Sequence, residues 1–307
     1  MTTIPSFPTF RRLERGDRSQ VEAFCGRYSP FSDFGFVSLW AWDTDESCLI
    51  SMLGNNLVFR LKDYTRDEHF LTFLGQDAVA EAAEALLAMA RREELVPELR
   101  LIPETVIEAD PRLSTRFSVM ADPDNFDYVS SVNDWAQFPT PRFRVHRKQV
   151  AKCRQHAHLD FRSFDPTDPF GQKAIFDLFN RWVEQKEASA RGDTEQERTA
   201  LHRVIELTGD NTLAASGFFD GERLVGLSLW ERLPGSDFVT IHFQKTDRDY
   251  RGLSSWQPHA MGQLLLESGY RLINGEQDLG IRGLRMHKQL LRPCQFLRKY
   301  VIAERGS

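Results

Sequence analysis

The chain has 307 residues, enough for two domains that each bury a core, and its 41% hydrophobic and 27% charged residues are those of an ordinary globular protein. A formal net charge of −5 excludes bulk attraction to nucleic acid or to an anionic membrane, so any basic site must be local. Cys25, Cys48, Cys153 and Cys294 are scattered, with neither metal-ligand spacing nor a dense disulfide framework, and free thiols are expected. No apolar run approaches the roughly 20 residues that span a bilayer. The opening MTTIPSFPTFRR lacks a secretory pattern, so a cytoplasmic location is expected.

The first residues, 1–16, contain Pro and Arg and read as an irregular arm. Asp17 to Gly26 reads as a short helix. Tyr28–Asp43 concentrates Phe31, Phe34, Phe36, Trp40 and Trp42, which are expected to bury themselves rather than stack a substrate. Cys48–Leu53 and Leu57–Leu61 are strand-patterned around Gly54-Asn55-Asn56, a hairpin signal, and His69–Leu74 is a third strand. Asp77–Arg92 is rich in Ala and Leu and predicts a helix with Asp77 near its cap. A strand at Leu99–Ile102, a short helix at Glu104–Glu108 and a strand at Arg116–Met120 complete this half. From Ala121 to Pro141 the composition turns to Asp, Asn, Ser and Pro, which places the boundary there and gives domains 1–130 and 131–307.

Arg142–His158 carries six Arg or Lys, three His and no acid. Phe143, His146, Val150 and Cys153 share one helical face, leaving Arg144, Lys148 and Lys152 outward. Such a run is ordinarily a solvated helix face, and in an acidic protein it is also the local block that phosphate binding needs. The element order then repeats. Phe161–Phe164 is a strand, Phe170–Glu187 a helix with Ile175, Leu178, Phe179 and Trp182 inward, and Thr194–Leu207 another helix. Leu213–Phe219 and Leu224–Trp230 pair around Asp220-Gly221. Phe238–Gln244 is a strand and Ser255–Ser268 a helix ended by Gly269. Two rounds of antiparallel strands with late helices make an α+β pattern.

Tyr270–Ile273 reads as a buried strand that opens into a loop carrying Asn274, Glu276 and Asp278. A helix follows from about Gly283 and stops before Pro293, and Lys299–Ala303 is the last strand. Leu284, His287 and Leu291 share one helical face, and Arg285, Lys288 and Arg292 line its flank. No acid occurs from Ile281 to Ile302. A strand end that delivers carboxylates and an amide beside cations can hold an ammonium and a phosphate together. The plainer alternative is a surface loop closed by an Asp278–Arg285 salt bridge. The eight histidines show no metal-ligand spacing, and His242 and His287 are expected to be partly buried and structural.

The element order resembles the GNAT acyltransferase fold. More narrowly, NGEQDLGIRGLRMHK (Asn274–Lys288) with Lys299-Tyr300 resembles the signature of the phosphatidylglycerol lysyltransferase C-terminal domain family. FSDFGFVSLWAWD (Phe31–Asp43) and YRGLSS (Tyr250–Ser255) are similar to that family's opening segment and the loop before its long helix. The resemblance implies two tandem GNAT-like domains, each a mixed, mostly antiparallel sheet flanked by helices. It also implies a donor: the lysyl-phosphatidylglycerol synthases move an amino acid from aminoacyl-tRNA to a lipid, and the Fem peptidyltransferases are similar in fold and donor. The lipid-modifying members have a membrane-embedded portion that has no counterpart here, which makes a soluble amine or hydroxyl the expected acceptor, ahead of a lipid headgroup.

On this reading Asn274, Glu276, Asp278 and Lys288 are the candidate catalytic residues. Arg251, Gly252, Arg285, Arg292, Lys148 and Lys152 are the candidate substrate-binding residues, with the aminoacyl-tRNA acceptor end as partner and no cofactor or metal. Glu276 or Asp278 would hold the donor's α-ammonium or deprotonate the acceptor. Two alternatives stand beside it. An acyl-CoA-dependent N-acetyltransferase would use the Gly252 loop for pyrophosphate, although Asp249 places an acid at the loop's first position. A non-catalytic GNAT-like module would bind RNA or protein through Arg142–His158.

Overall fold

The computed structural model describes residues 3–63, 66–139, 141–156, 158–186, 194–207 and 213–305. Thr140 of the expected boundary, Ala157 of the basic run and the expected helix end at Glu187 lie outside them. The first round of elements is β1 (Arg11–Arg12), α1 (Arg18–Cys25), α2 (Phe36–Trp42), β2 (Leu49–Leu53), β3 (Asn56–Lys62), β4 (His69–Leu74), α3 (Val79–Arg92), β5 (Glu98–Pro103), α4 (Glu104–Ala109), α5 (Arg112–Arg116) and β6 (Phe117–Ala121). Then come β7 (Asp127–Ser131), α6 (Val132–Gln137) and α7 (Arg144–His156). The second round is β8 (Asp160–Phe164), α8 (Pro169–Glu184), α9 (Thr194–Glu206), β9 (Leu213–Asp220), β10 (Arg223–Arg232), β11 (Phe238–Thr246), α10 (Leu253–Glu267), β12 (Leu272–Asn274), α11 (Arg282–Leu290), β13 (Gln295–Leu297) and β14 (Lys299–Glu304).

These strands form two seven-stranded sheets, β1-β2-β3-β4-β5-β14-β6 and β8-β9-β10-β11-β12-β7-β13. Position by position the two orders match. In each, the fourth and fifth strands are a parallel pair, flanked by antiparallel pairings on either side. This is the tandem GNAT-like α+β arrangement expected from the sequence. The match holds only because the sixth position is exchanged: β14, from the end of the second round, sits between β5 and β6, while β7 sits between β12 and β13. The stretch read as a boundary is therefore a strand and a helix. Its Asp- and Ser-rich composition hides Tyr128 and Val129, which are buried.

By contacts the chain divides into unit 1 (1–127, 277–285 and 296–307) and unit 2 (128–276 and 286–295). Two stretches assigned by composition to the domain 131–307 thus belong to unit 1. In unit 1, α3 packs on β4, β5 and β14 through Ala83, Leu86, Leu87 and Ala90. The aromatic segment is core as expected: Phe31, Phe34 and Phe36 are each at most 2% exposed. In unit 2, α10 is apolar on several sides because α6, α7 and the sheet enclose it. A Cβ on Gly262 would meet the Ala136 amide nitrogen at 2.3 Å, so α10 and α6 touch backbone to backbone there. Met261 and Leu265 then join Val132, Trp135, Trp230 and Ile273 in one cluster, each large side chain contributing ~1.5–3 kcal/mol. Among the described residues no helix is long and apolar enough to cross a membrane.

Candidate active site

The two parallel strands of unit 2 pair over Phe238–Thr240 and Leu272–Asn274, and beyond that β12 ends while β11 continues to Thr246. The fork this leaves is where polar side chains gather. β11 also carries a bulge: Leu229 lies opposite Phe243 and Trp230 opposite Ile241, so His242 is the extra residue. A bulge re-aims the side chain it adds. His242 points between two carboxylates, with Nδ1 3.0 Å from Glu276 Oε1 and Nε2 3.2 Å from Glu231 Oε2. Burial pushes the imidazole's pKa down, but the hydrogen bonds and charges of Glu231 and Glu276 outweigh it and hold the pKa at about 9. At neutral pH an imidazolium donates to both carboxylates. Of the three side chains Glu276, at 17%, is the most exposed.

The loop after β12 presents Glu276. Its backbone is left-handed, with φ 59°, an uncommon conformation for a non-glycine residue that its surroundings must hold. Asn274, fully buried, accepts the Glu276 amide at 2.7 Å. Lys288 Nζ donates to the carbonyls of Gly275 and, at 3.1 Å, Glu276. Of the four expected catalytic residues, then, one offers a carboxylate and two shape the turn that carries it.

The fourth, Asp278, belongs with Arg285 to unit 1. Its carboxylate is fully buried, takes Arg285 Nε and Nη2 at 2.8 Å each and the Gly280 amide at 2.9 Å, and shares the guanidinium with Asp124. That is the loop-closing salt bridge weighed from the sequence. Arg292 is not part of a helical stripe, because α11 ends at Leu290 and Arg292 has φ 57°. Pro293 accounts for this by barring the preceding residue from the helical region. His287, expected to be partly buried, is exposed.

The remaining candidates lie around α7 and the start of α10. Lys148, Lys152 and Arg154 are exposed, whereas Phe143, His146, Val150 and Cys153 are buried as their spacing predicts. His146 bridges helices: Nε2 donates to the Leu290 carbonyl at 2.9 Å and Nδ1 lies 3.0 Å from Ser255 Oγ, and burial lowers its pKa. Arg251 is exposed. Gly252 caps α10 with φ 95°, and a Cβ there would meet the Gln149 carbonyl oxygen of α7 at 2.5 Å. Gly252→Ala combines that clash with a left-handed backbone, and should lower the urea midpoint by the equivalent of ~1–3 kcal/mol. An unchanged midpoint would refute the tight α7–α10 packing. Sequence reasoning missed Glu231 and the role of His242. The alternation of β10 and β11 was legible, but nothing in it marks the bulge that turns His242 toward Glu276.

Fold and fork together define a tandem GNAT-like acyltransferase architecture. The sequence model of the family described as phosphatidylglycerol lysyltransferase, C-terminal, matches residues 29–303, and the chain belongs to that family. Among solved structures, a protein of unknown function from Bacteroides thetaiotaomicron is similar at 21% identity and TM-score 0.80, covering 99% of this chain and 100% of that one. A domain described as the C-terminal domain of a lysylphosphatidylglycerol synthetase from Agrobacterium fabrum is 10% identical, with TM-score 0.65 and coverage of 95% and 92%. L-PGS from Bacillus licheniformis is 11% identical, with TM-score 0.63 and coverage of 100% and 95%. No curated protein matches the chain.

Proposed function

We propose that the protein is an aminoacyltransferase that takes an amino acid from aminoacyl-tRNA and places it on a soluble amine or hydroxyl. The observation that carries this reading is the seating of α7 on the start of α10. In a CoA-dependent GNAT that start is an open cradle of amides for pyrophosphate. Here the amides of Arg251 and Leu253 donate within their own loop, at 3.2 and 3.0 Å, to Asp249 and Tyr250. The open face of Gly252 is filled by Gln149, and Asp249 adds a like charge. These features weigh against the loop as a pyrophosphate cradle and so support the aminoacyl-tRNA reading over the CoA one. What α7 offers instead is an outward row of cations, suited to a phosphate chain that lies along the surface.

An aminoacyl ester is already activated, so the reaction needs alignment more than bond activation. Alignment alone can contribute roughly 7–11 kcal/mol. The acceptor's nitrogen or oxygen attacks the ester carbonyl, its proton passes to a base, and the tRNA ribose hydroxyl leaves with a proton. Glu276, held by the His242 imidazolium and by the Asn274–Lys288 turn, is the carboxylate placed to take the acceptor's proton or to hold the donor's α-ammonium.

Neutralising about three or four single-strand phosphates gives a log–log salt slope of roughly −2 to −3. Lys148→Ala/Lys152→Ala/Arg154→Ala should flatten that slope while changing stability by no more than about 0.5 kcal/mol per site. Filter binding with charged tRNA and calorimetry with acetyl-CoA test the reading together. Absent tRNA binding at low salt, or saturable micromolar acetyl-CoA binding, would overturn it. Transfer to lipid vesicles but to no soluble acceptor would keep the donor and replace the acceptor.

A further inference from the structure

Unit 1 contains a cavity of about 360 Å³ at its own parallel strand pair. That volume is at the lower end of small-molecule pockets, ~300–1,000 Å³. Leu61, Phe70, Leu101 and Val301, one from each of β3, β4, β5 and β14, give it an apolar floor. Its wall is charged, and the charges do not balance. Lys62 is held by Asp45 at 2.7 Å and Asp67 at 2.6 Å. Arg100 is held by Glu98, Asp63 and Glu68 at 2.8, 3.0 and 3.4 Å. Asp33, on the wall, shares the buried Lys299 with Asp127. Asp124, also on the wall, shares Arg285 with Asp278. Of the lining side chains five are carboxylates and three are bases, and Lys62 and Arg100 are engaged further by Asp45, Asp67 and Glu68 outside the lining.

Asp122 adds a carboxylate that accepts from the neutral Asn125 side chain, at 2.7 Å. Arg66 is the one lining base without an acid partner among the described residues, and it is exposed. Among the described residues no three His, Cys, Asp or Glu side chains converge as a metal site. The negative charge is therefore spread around an apolar floor rather than gathered at a point.

We infer that the unit 1 cavity is a binding site for a small organic cation, a primary ammonium on a short aliphatic body. The floor takes the methylenes and the surplus carboxylates take the ammonium, whereas a metal ion would leave the apolar floor unused and an anion would meet like charge. A free aliphatic diamine and the α-ammonium of an amino-acid derivative share this chemistry. The site is independent of the transfer reaction, so its test contains no tRNA and can fail or succeed without it.

Calorimetry on the full chain at low salt would compare 1,5-diaminopentane, alaninamide, the neutral 1,5-pentanediol and calcium chloride. Saturable binding of diaminopentane, weakening with salt and absent for pentanediol, is the expected result. Alaninamide binding as well would assign the site to any ammonium, and its failure would assign it to the longer chain. Asp122→Asn should weaken diaminopentane about tenfold or more. Met120→Lys provides a variant that leaves native contacts in place, because Met120 lines the cavity yet is 53% exposed. It should weaken binding at least as much. No binding at millimolar diamine, equal binding of pentanediol, tighter binding of calcium, or unchanged affinity in folded Met120→Lys would each overturn the inference.

Discussion

Lys299→Met should cost unit 1 about 3–5 kcal/mol, a large share of the ~5–15 kcal/mol that holds a domain folded. The Lys299 side chain is fully buried, its ammonium 2.8 Å from Asp127 and in contact with Asp33, and those carboxylates are 0% and 4% exposed. Burial alone would push the lysine's pKa down, but Asp127 and Asp33 outweigh it and raise it. Ser32 adds its amide at 2.8 Å and its hydroxyl at 2.6 Å to Asp127, which leaves the cluster well bonded while the ammonium is present. Removing the cation leaves two buried carboxylates without their charge partner. Replacing all three charges, as Lys299→Met/Asp33→Asn/Asp127→Asn, should recover most of the loss, since an apolar or neutral set of the same shape is often neutral in stability. Urea melts of the three proteins decide it, and a Lys299→Met midpoint equal to the parent's would contradict the account.

His242→Gln should abolish a pH dependence as well as lower stability. The folded pKa of about 9 lies above the 6.5 of a free imidazole, so its contribution is complete below about pH 6.5 and is lost as pH rises through 9. At 1.36 kcal/mol per pH unit that difference is about 3 kcal/mol. The parent's melting midpoint should therefore fall between about pH 6.5 and 9.5, while the variant starts lower and stays flat across that window. The transfer activity proposed above should fall with it, because Glu276 loses the partner that orients it. A parent curve that is level from pH 6.5 to 9.5 would show that the imidazole is not charged between its carboxylates.

Much of this was legible in the sequence, for reasons that differ between elements. Helices α3, α8 and α10 and the two hairpins announce themselves through local propensity and turn chemistry, with one small slip: Asn56 starts a strand instead of ending a turn. Ala78, with φ 42°, caps α3, and Asp77 stands beside it, near the cap as read. The doubled order of elements was legible too, and with it the fold. β7 was not, because a short strand buried in the middle of a sheet leaves little alternation to see, and its own end residues Asp127 and Ser131 read as loop. In the site, Asn274, Glu276 and Lys288 were found by chemical type and do lie together. Glu231 was not, since only the bulge in β11 turns His242 toward it. In unit 1, Asp127 and Asp33 were not marked either, since each meets Lys299 across long sequence separation, and a lone carboxylate in a strand or turn carries no local mark of that partner.

The exchanged strands also set the order in which a growing chain can finish itself. Unit 2 receives β7 before any of its other strands has been made, so it can close as soon as β13 emerges. Unit 1 waits for β14, with β5 and β6 left as unpaired edges, from Ala121 until Lys299 is synthesised. At roughly 5–20 residues per second that interval is about 10–35 s. During it the first half is a sheet with a slot, apolar on its inner face and open to any extended segment nearby. The half made first is thus completed last, and its exposure on the ribosome, more than its final stability, is where this architecture is vulnerable.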